Sequence, residues 1–440
     1  MHKHSGKPAI SSVTPIASTL DYFLEHLHFQ DGAMIARYGD YLLNSAFQPI
    51  FSFAHQRSVG LEALVRPSSG AGEAIPPPLF FGDFTELDDI IFVDRLCRAL
   101  HVANFQSLKS QNWLFLNVNP LVVAQGKTRD GFFRQMLENY ALGEHQIVIE
   151  ILETAVHGET SLEETVEHYR EYGCLVALDD FGAGYSNFER VWRLKPDIIK
   201  LDRSMIADSV RHRVIRRCLP NLVSLLHEAG CIVLAEGIET EEEASIALDA
   251  GVDLAQGYLF ARPFAINNKE GVDLVGLERV QERSRQNFMG YSRRRREKIS
   301  RYIETLEIIV ESILRGAEVA IAAESLLKLP YALRFYMLND RGDQDHHSIE
   351  CHKLRQTLDT RLAPLTKTKG ASWHHRSYFR KAVDRPGEIH ITGPYLSLPD
   401  ARMCITLSIA LEFQGALNIL CFDIDNDVET NDTDWTSFSK

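Results

Sequence analysis

From Ala46 to Phe264 the chain repeats one pattern. A short apolar, β-branched run ends in a polar or acidic residue, and an amphipathic stretch with helical spacing usually follows. The runs are Phe47–Phe51, Ser58–Leu64, Trp113–Val118, Gln146–Leu152, Leu175–Asp180, Asp197–Leu201, Cys231–Ala235 and Asp253–Phe260. Apolar runs of this kind, separated by helices, are typical of strands buried on both faces, as in a parallel sheet. Eight of them in about 220 residues predict a (β/α)8 barrel of the TIM type. Only Ser52–Arg57 separates the first two, too little for a crossover helix, so that pair is predicted to be a hairpin with an antiparallel first strand. The polar residues Glu62, Asn117, Glu150, Asp179, Asp180, Lys200, Glu236 and Gln256 gather at one end of the runs. In a barrel those ends converge on a single mouth, where active sites lie.

Past Pro263 the pattern changes. Asn267–Gly271 reads as a loop, and a helical region follows from about Val272 to Leu327. Its apolar stripe carries Tyr302, Ile303, Leu306, Ile309, Val310, Ile313, Leu314 and Ala317, with Arg301, Glu304, Glu307 and Glu311 opposite. A helix of this length can pair with its own copy. The basic run Arg293–Arg296 is read as a solvated face or dimer contact. Beyond Pro330, short runs at Glu388–Thr392, Met403–Ser408 and Ala416–Phe422 predict a small α+β domain with an antiparallel sheet. The expected division is an N-terminal helical extension over 1–39, a barrel over 40–266, a linking helical region over 267–329 and a small domain over 330–440.

Composition narrows the function classes. The 440 residues are 45% hydrophobic and 24% charged, an ordinary globular balance. The formal net charge of -13 argues against general affinity for nucleic acid polymers or anionic membranes. An acidic protein can still bind a phosphate substrate through intervening metal ions. No apolar run nears the roughly 20 residues of a membrane helix, and Met1–Leu20 lacks the apolar core of a signal peptide. Seven widely spaced cysteines without a Cys-x-x-Cys read as reduced packing residues. The expected location is the cytoplasm.

The carboxylates Glu62, Glu150, Asp179, Asp180 and Glu236 would crowd one mouth, and bare carboxylates so placed repel one another. Divalent cations remove the conflict, and oxygen ligands with one amide, Asn117, suit Mg2+ or Mn2+. Adjacent aspartates at a strand end can bridge two ions about 4 Å apart, which is a phosphodiesterase design.

These residues fall in a series of motifs: Glu62-Ala63-Leu64-Val65-Arg66, Leu116-Asn117-Val118-Asn119-Pro120, Glu150-Ile151-Leu152-Glu153, Asp179-Asp180-Phe181-Gly182-Ala183-Gly184-Tyr185-Ser186, Lys200-Leu201-Asp202, Ala235-Glu236-Gly237-Ile238-Glu239-Thr240 and Gln256-Gly257-Tyr258. In order and spacing they resemble the EAL-domain family of cyclic di-GMP phosphodiesterases over about residues 40–266. The resemblance implies two ions, Mg2+ or Mn2+: one on Glu62, Asn117, Glu150 and Asp179, the other on Asp179, Asp180 and Glu236. It implies that Lys200 meets the attacking water or the phosphate. Leu64, Arg66, Asp202, Gln256 and Pro263 would be at the substrate. Glu153 would anchor the loop Phe181–Ser186, which in the family reaches the dimer contact. The implied reaction is hydrolysis of cyclic di-GMP to linear pGpG by a homodimer, with no covalent protein nucleophile. Departures from the family pattern are Pro67 where Trp is common, and Leu152 and Ala183 where Thr is common; no ligand position is missing. The alternative reading is a catalytically silent cyclic di-GMP receptor acting through protein contacts. Asp180-Phe181-Gly182 also matches a kinase magnesium motif, but no kinase glycine loop precedes it. An aldolase-type Schiff base on Lys200 conflicts with the carboxylates that keep the amine charged.

In the last third, Tyr378-Phe379-Arg380-Lys381-Ala382, His390–Leu396, Ile405–Ser408 and Phe422–Asp425 resemble the PAS-like Cache family of ligand sensors. That resemblance implies a sensory domain that regulates the barrel, with Tyr378, Arg380 and Tyr395 lining a site for an unknown small ligand.

Overall fold

The computed structural model describes residues 19–119, 122, 131–152, 159–184, 188–267, 274–352, 354 and 365–426. It divides into two units, Met1–Gln286 and Asn287–Lys440.

In the first unit, eight strands close a barrel. They are β3 (Tyr41–Ser52), β4 (Arg57–Ser69), β5 (Trp113–Asn117), β6 (Ile147–Leu152), β7 (Leu175–Phe181), β8 (Ile198–Leu201), β9 (Ile232–Ala235) and β10 (Leu254–Ala255). From β4 to β10 each strand pairs in parallel with the next. β3 closes the ring antiparallel to both β4 and β10, as the short Ser52–Arg57 connection requires. Helices between the strands, Leu87–Leu108 the longest of them, cover the outside. The expected eighth run, Asp253–Phe260, is a strand only at Leu254–Ala255.

The barrel interior is built in layers. The lower layer is apolar: Ile50, Phe115, Val148, Ala177, Ile198, Leu234 and Leu254 pack together, one from each strand except β4. β4 contributes Gly60, where a methyl group would fall 2.7 Å from the Phe115 ring. Side chains two positions apart on a strand share a face, so the same register two residues on selects Asn117, Glu150, Asp179, Lys200, Glu236 and Gln256. On β4 it selects Glu62, and on the reversed β3 it selects Gln48, which is paired with Glu62.

The stretch over 1–39, expected to be helical, is corrected. Among its described residues it has one short helix, Leu20–Leu24, and then a hairpin of β1 (Leu27–Gln30) and β2 (Ala33–Tyr38) that extends the sheet beside β3. The Asp31-Gly32 turn explains it. Both residues have positive φ, 51° and 84°, which is the two-residue turn that matches strand twist.

The second unit is a six-stranded antiparallel sheet in the order β13-β12-β17-β16-β14, with β15 beside β16. These are β12 (Ala332–Leu338), β13 (Ile349–Glu350), β14 (His390–Ile391), β15 (Tyr395–Leu396), β16 (Met403–Phe413) and β17 (Ala416–Asp425). The long helix Leu274–Leu314 begins before the division of the chain and ends in this unit. Its stripe of Tyr302, Leu306, Ile309, Val310 and Ile313 packs against Leu420, Phe422 and Ile424 of β17. The stripe expected to pair with a second copy is therefore covered by the unit's own sheet, and Leu314 lies off it, exposed. On the opposite face Ile419 and Cys421 pack with Tyr378, Phe379 and Ala382 of the helix Ser377–Asp384. None of the seven cysteines forms a disulfide. Among the described residues no helix is long and apolar enough to cross a membrane.

Candidate active site

The polar layer lies at the barrel mouth above the apolar one. Lys200 is at its centre, 1% exposed. Its Nζ lies 2.5 Å from Glu150 Oε1, 2.7 Å from Glu236 Oε1, 3.1 Å from Asp179 Oδ1 and 3.8 Å from Glu62 Oε1. Glu62 also accepts from Gln256 Nε2 at 2.7 Å and from Asn117 Nδ2 at 3.2 Å. The backbone holds this arrangement in place. Ile238 N–H donates to Gln256 O and Gln256 N–H to Ala235 O, while a capping box at Thr240 and Glu243 starts the helix Glu241–Asp249 just beyond Glu236.

Regular strand geometry would send Asp179 and Asp180 to opposite faces. β7 avoids this with an irregularity: its register with β8 shifts between Leu178 and Phe181, and Asp180 takes a φ of 57°, a conformation that aspartate tolerates better than most residues. Asp180 N–H folds back onto Asp179 Oδ1 at 2.9 Å. The bulge thereby keeps both carboxylates at the mouth. Oxygens of Asp179, Asp180 and Glu236 all come within 4.8 Å of one another, a grouping able to hold a metal ion.

The electrostatics show how much positive charge the site lacks. Burial would lower the Lys200 pKa, but the charges of Asp179, Glu150, Glu236 and Glu62 outweigh it and hold the amine firmly protonated. Burial pushes Glu150 well above the usual carboxylate range, against the pull of Lys200. Burial likewise raises Glu236 to about 8. Burial works in the same sense on Glu62, but Lys200, Gln256 and Asn117 together bring it below its ordinary value. The second carboxylate oxygen of Glu150 is buried with no hydrogen-bond partner. One lysine does not balance five carboxylates. The orphaned oxygen and the all-oxygen donor set fit hard divalent cations.

The open space at the mouth, about 650 Å³, is lined by Glu62, Asp179, Lys200, Glu236 and Gln256 from the sequence-derived set, and also by Gln48, Arg203, Glu239, Gly257 and Tyr258. The hairpin register with Glu62 was a signal for Gln48. Arg203 and Glu239 form an ion pair at 3.0 Å on the rim, and Arg262 stacks over the Tyr258 ring at 4.6 Å. Four other expected substrate residues do not line this space. Leu64 and Pro263 are half-buried and Arg66 is exposed, its Nη1 donating to Val65 O. Asp202 caps the helix Arg203–Arg211 by accepting from Ser204 N. Glu153, Tyr185 and Ser186 lie outside the described residues.

In the second unit, Tyr378 and Tyr395 line a separate cavity with ring centroids 6.0 Å apart. Arg380 does not line it; it is exposed and donates from Nε to His374 O. Two residues along a helix turn the side chain by about 200°, so Arg380 cannot share the face of Tyr378. Arg376, just before the helix, lines the cavity instead.

A closed eight-stranded barrel with one reversed strand and an acidic, lysine-centred layer at its C-terminal mouth defines a narrow class of α/β barrel. The comparisons give its family. The chain belongs to the EAL domain family, whose model matches residues 42–263, just over half of its length. It is 31% identical over 235 residues to the Pseudomonas aeruginosa cyclic di-GMP phosphodiesterase NbdA, covering 50% of this chain and 29% of that protein. It is 30% identical over 149 residues to the Escherichia coli cyclic di-GMP phosphodiesterase PdeF, covering 34% of this chain and 20% of that protein. The chain thus spans less than a third of the length of these relatives. Across both units the fold is similar to that of the Bacillus subtilis YkuI protein, which has an EAL domain and was solved with cyclic di-GMP and calcium. The TM-score is 0.72 at 22% identity, over 87% of this chain and 96% of that one.

Proposed function

We propose that the barrel hydrolyses cyclic di-GMP to linear pGpG. The observation that carries this reading is the polar layer, in which every strand delivers its polar side chain to one mouth and a single buried lysine stands among five carboxylates. Two named relatives, NbdA and PdeF, are cyclic di-GMP phosphodiesterases. In this reading Glu62, Asn117, Glu150 and Asp179 hold one divalent ion, and Asp179, Asp180 and Glu236 hold a second, Mg2+ or Mn2+. When bound, such ions supply Lewis acidity toward the phosphate and lower the pKa of water. Lys200 keeps its proton and presents a fixed positive charge to the phosphate or the incoming water. Gln256 and Asn117 orient Glu62. Arg66 and Leu64 lie beyond Glu62 on the same strand and meet the nucleotide. We take the chain to act in the cytoplasm as a homodimer, with the second unit regulating turnover.

The test is chromatography of cyclic di-GMP incubated with the purified chain. Turnover is expected with Mg2+ or Mn2+, and a fall of orders of magnitude in Asp180→Asn. Turnover in excess chelator would overturn the two-ion site. Tight binding with no turnover in either metal would replace the enzyme reading with that of a silent receptor.

A further inference from the structure

The helix Leu87–Leu108 lies between β4, which carries Glu62, and β5, which ends at Asn117. Its middle is buried, and three of the buried side chains there are charged: Asp94, Arg95 and Arg98. Asp94 and Arg98 stand one turn apart and pair at 2.5 Å. Arg98 also donates from Nη1 to the Tyr169 hydroxyl at 3.1 Å, on the helix Glu159–Glu171 that follows β6. Both arginines lie over the Phe132 ring. Stability alone is a poor reason for such a pair, because apolar residues of similar volume commonly hold a core as well or better.

The other oxygen of Asp94 supplies a reason. Asp94 Oδ1 accepts from the backbone N–H of Asn119 at 2.9 Å, so a side chain of the outer helix holds the chain two residues past Asn117. Asn117 is the last residue of β5 and is exposed. Its Nδ2 donates to Glu62 at 3.2 Å, at the long end of such bonds. With the amide nitrogen turned to Glu62, the amide oxygen is the atom left for a cation. The backbone of Asn117–Asn119 decides where that oxygen stands. Val118 N–H, donating to Glu150 O at 3.2 Å, fixes one side of it, and Asp94 fixes the other.

We propose that Asp94 is a positioning residue for the ion site that contains Asn117. It acts from the helical layer, through the Asn119 peptide, and aims the Asn117 oxygen. Arg98 is the cation that accompanies Asp94 into the core, and Tyr169 braces Arg98 from the next helix. The role rests on the two-ion reading above. Outer partners of this kind typically change metal affinity about 10- to 100-fold.

The test is calorimetric titration of the full chain with Mn2+, beside urea unfolding and amide exchange in chelator. The decisive variant combines Asp94→Leu with Arg98→Met. It removes both charges, nearly keeps the volume, and is expected to unfold close to the wild-type midpoint. It should nevertheless weaken one Mn2+ site by roughly 10- to 100-fold, leave the other near its wild-type affinity, and speed exchange of the Asn119 amide in chelator. Tyr169→Phe loses a buried hydrogen bond that does not reach the Asn119 peptide. It should lower the midpoint and leave both Mn2+ sites as they are. If the double variant does not fold, Asp94→Asn carries the comparison, since an amide oxygen is a weaker acceptor than a carboxylate. The role is overturned if the folded variant binds both ions as tightly as the wild type, or if the two sites weaken together. A wild type that binds no Mn2+ removes the two-ion reading and this role with it. A wild type that binds two ions but leaves cyclic di-GMP intact removes the hydrolase reading alone, and the loss of one site in the double variant would still establish the role.

Discussion

At the scale of single residues, Lys200 is the charge on which the barrel mouth depends. It is fully buried and lies within 4 Å of four carboxylates. Breaking a buried ion cluster by removing one partner costs about 3–5 kcal/mol, because the charges left behind have no compensation. Lys200→Met is therefore expected to lower the unfolding free energy of the metal-free protein by that order, read from its urea titration, and Mg2+ should restore more stability to the variant than it adds to the wild type. Equal midpoints in chelator would show that the carboxylates simply take up protons. A second buried group sets a pH dependence. Burial, with a smaller contribution from the charge of Arg66, lowers the His101 pKa to about 3, and its Nδ1 shares a 2.8 Å hydrogen bond with Ser45. The folded chain keeps this ring neutral while the unfolded chain protonates it below about 6.5. Its contribution to stability is thus complete above that pH and is lost as pH falls toward 3, by at most about 1.4 kcal/mol per pH unit. Denaturant titrations at pH 7 and pH 4.5 should show a smaller acid loss in His101→Asn than in the wild type.

At the scale of elements, two devices shape the mouth, and they differ in how legible they were. The two-residue period of strands made the polar layer readable: Asn117, Glu150, Lys200, Glu236 and Gln256 each stand two residues past an interior apolar residue. The bulge at Asp179–Asp180 was not readable, because an alternating strand and a bulged one share the same apolar run, and only the register with β8 separates them. The β1–β2 hairpin was missed although Asp31-Gly32 marked its turn. Arg380 was chosen from a motif, and helix geometry turns it away from Tyr378, so that Arg376 lines the cavity instead. Backbone proximity was invisible too. A methyl group on Gly257 would fall 1.9 Å from the Ile238 carbonyl oxygen, in the loop that carries Glu236 toward Glu239. Gly257→Ala must push two backbones apart, at about 3 kcal/mol or more, and should reduce turnover by displacing Gln256. Gly82→Ala, which meets nothing within 4 Å, should change the unfolding free energy by less than about 1 kcal/mol. Similar losses in the two variants would remove the steric explanation.

At the scale of the whole molecule, each unit has its own apolar core, so each can unfold on its own terms. Calorimetry of the full chain is expected to show two transitions, of which Mg2+ raises one. Stabilisation follows the ratio of free ligand to its dissociation constant and is confined to the unit that binds. A single transition that shifts as a whole would mean that the units unfold together. The reversed strand β3 has a further consequence for how such a chain can be rearranged. In a barrel of uniformly parallel strands the polypeptide enters at the bottom and leaves at the top. Here β3 runs downward from the mouth, and the short strand Phe264–Ala265 returns to pair with Phe47 and Ala46, so the barrel begins and ends side by side on the rim that carries the carboxylates. A circular permutant cut in a bottom loop and rejoined across this rim by a few residues keeps every pairing among the eight barrel strands.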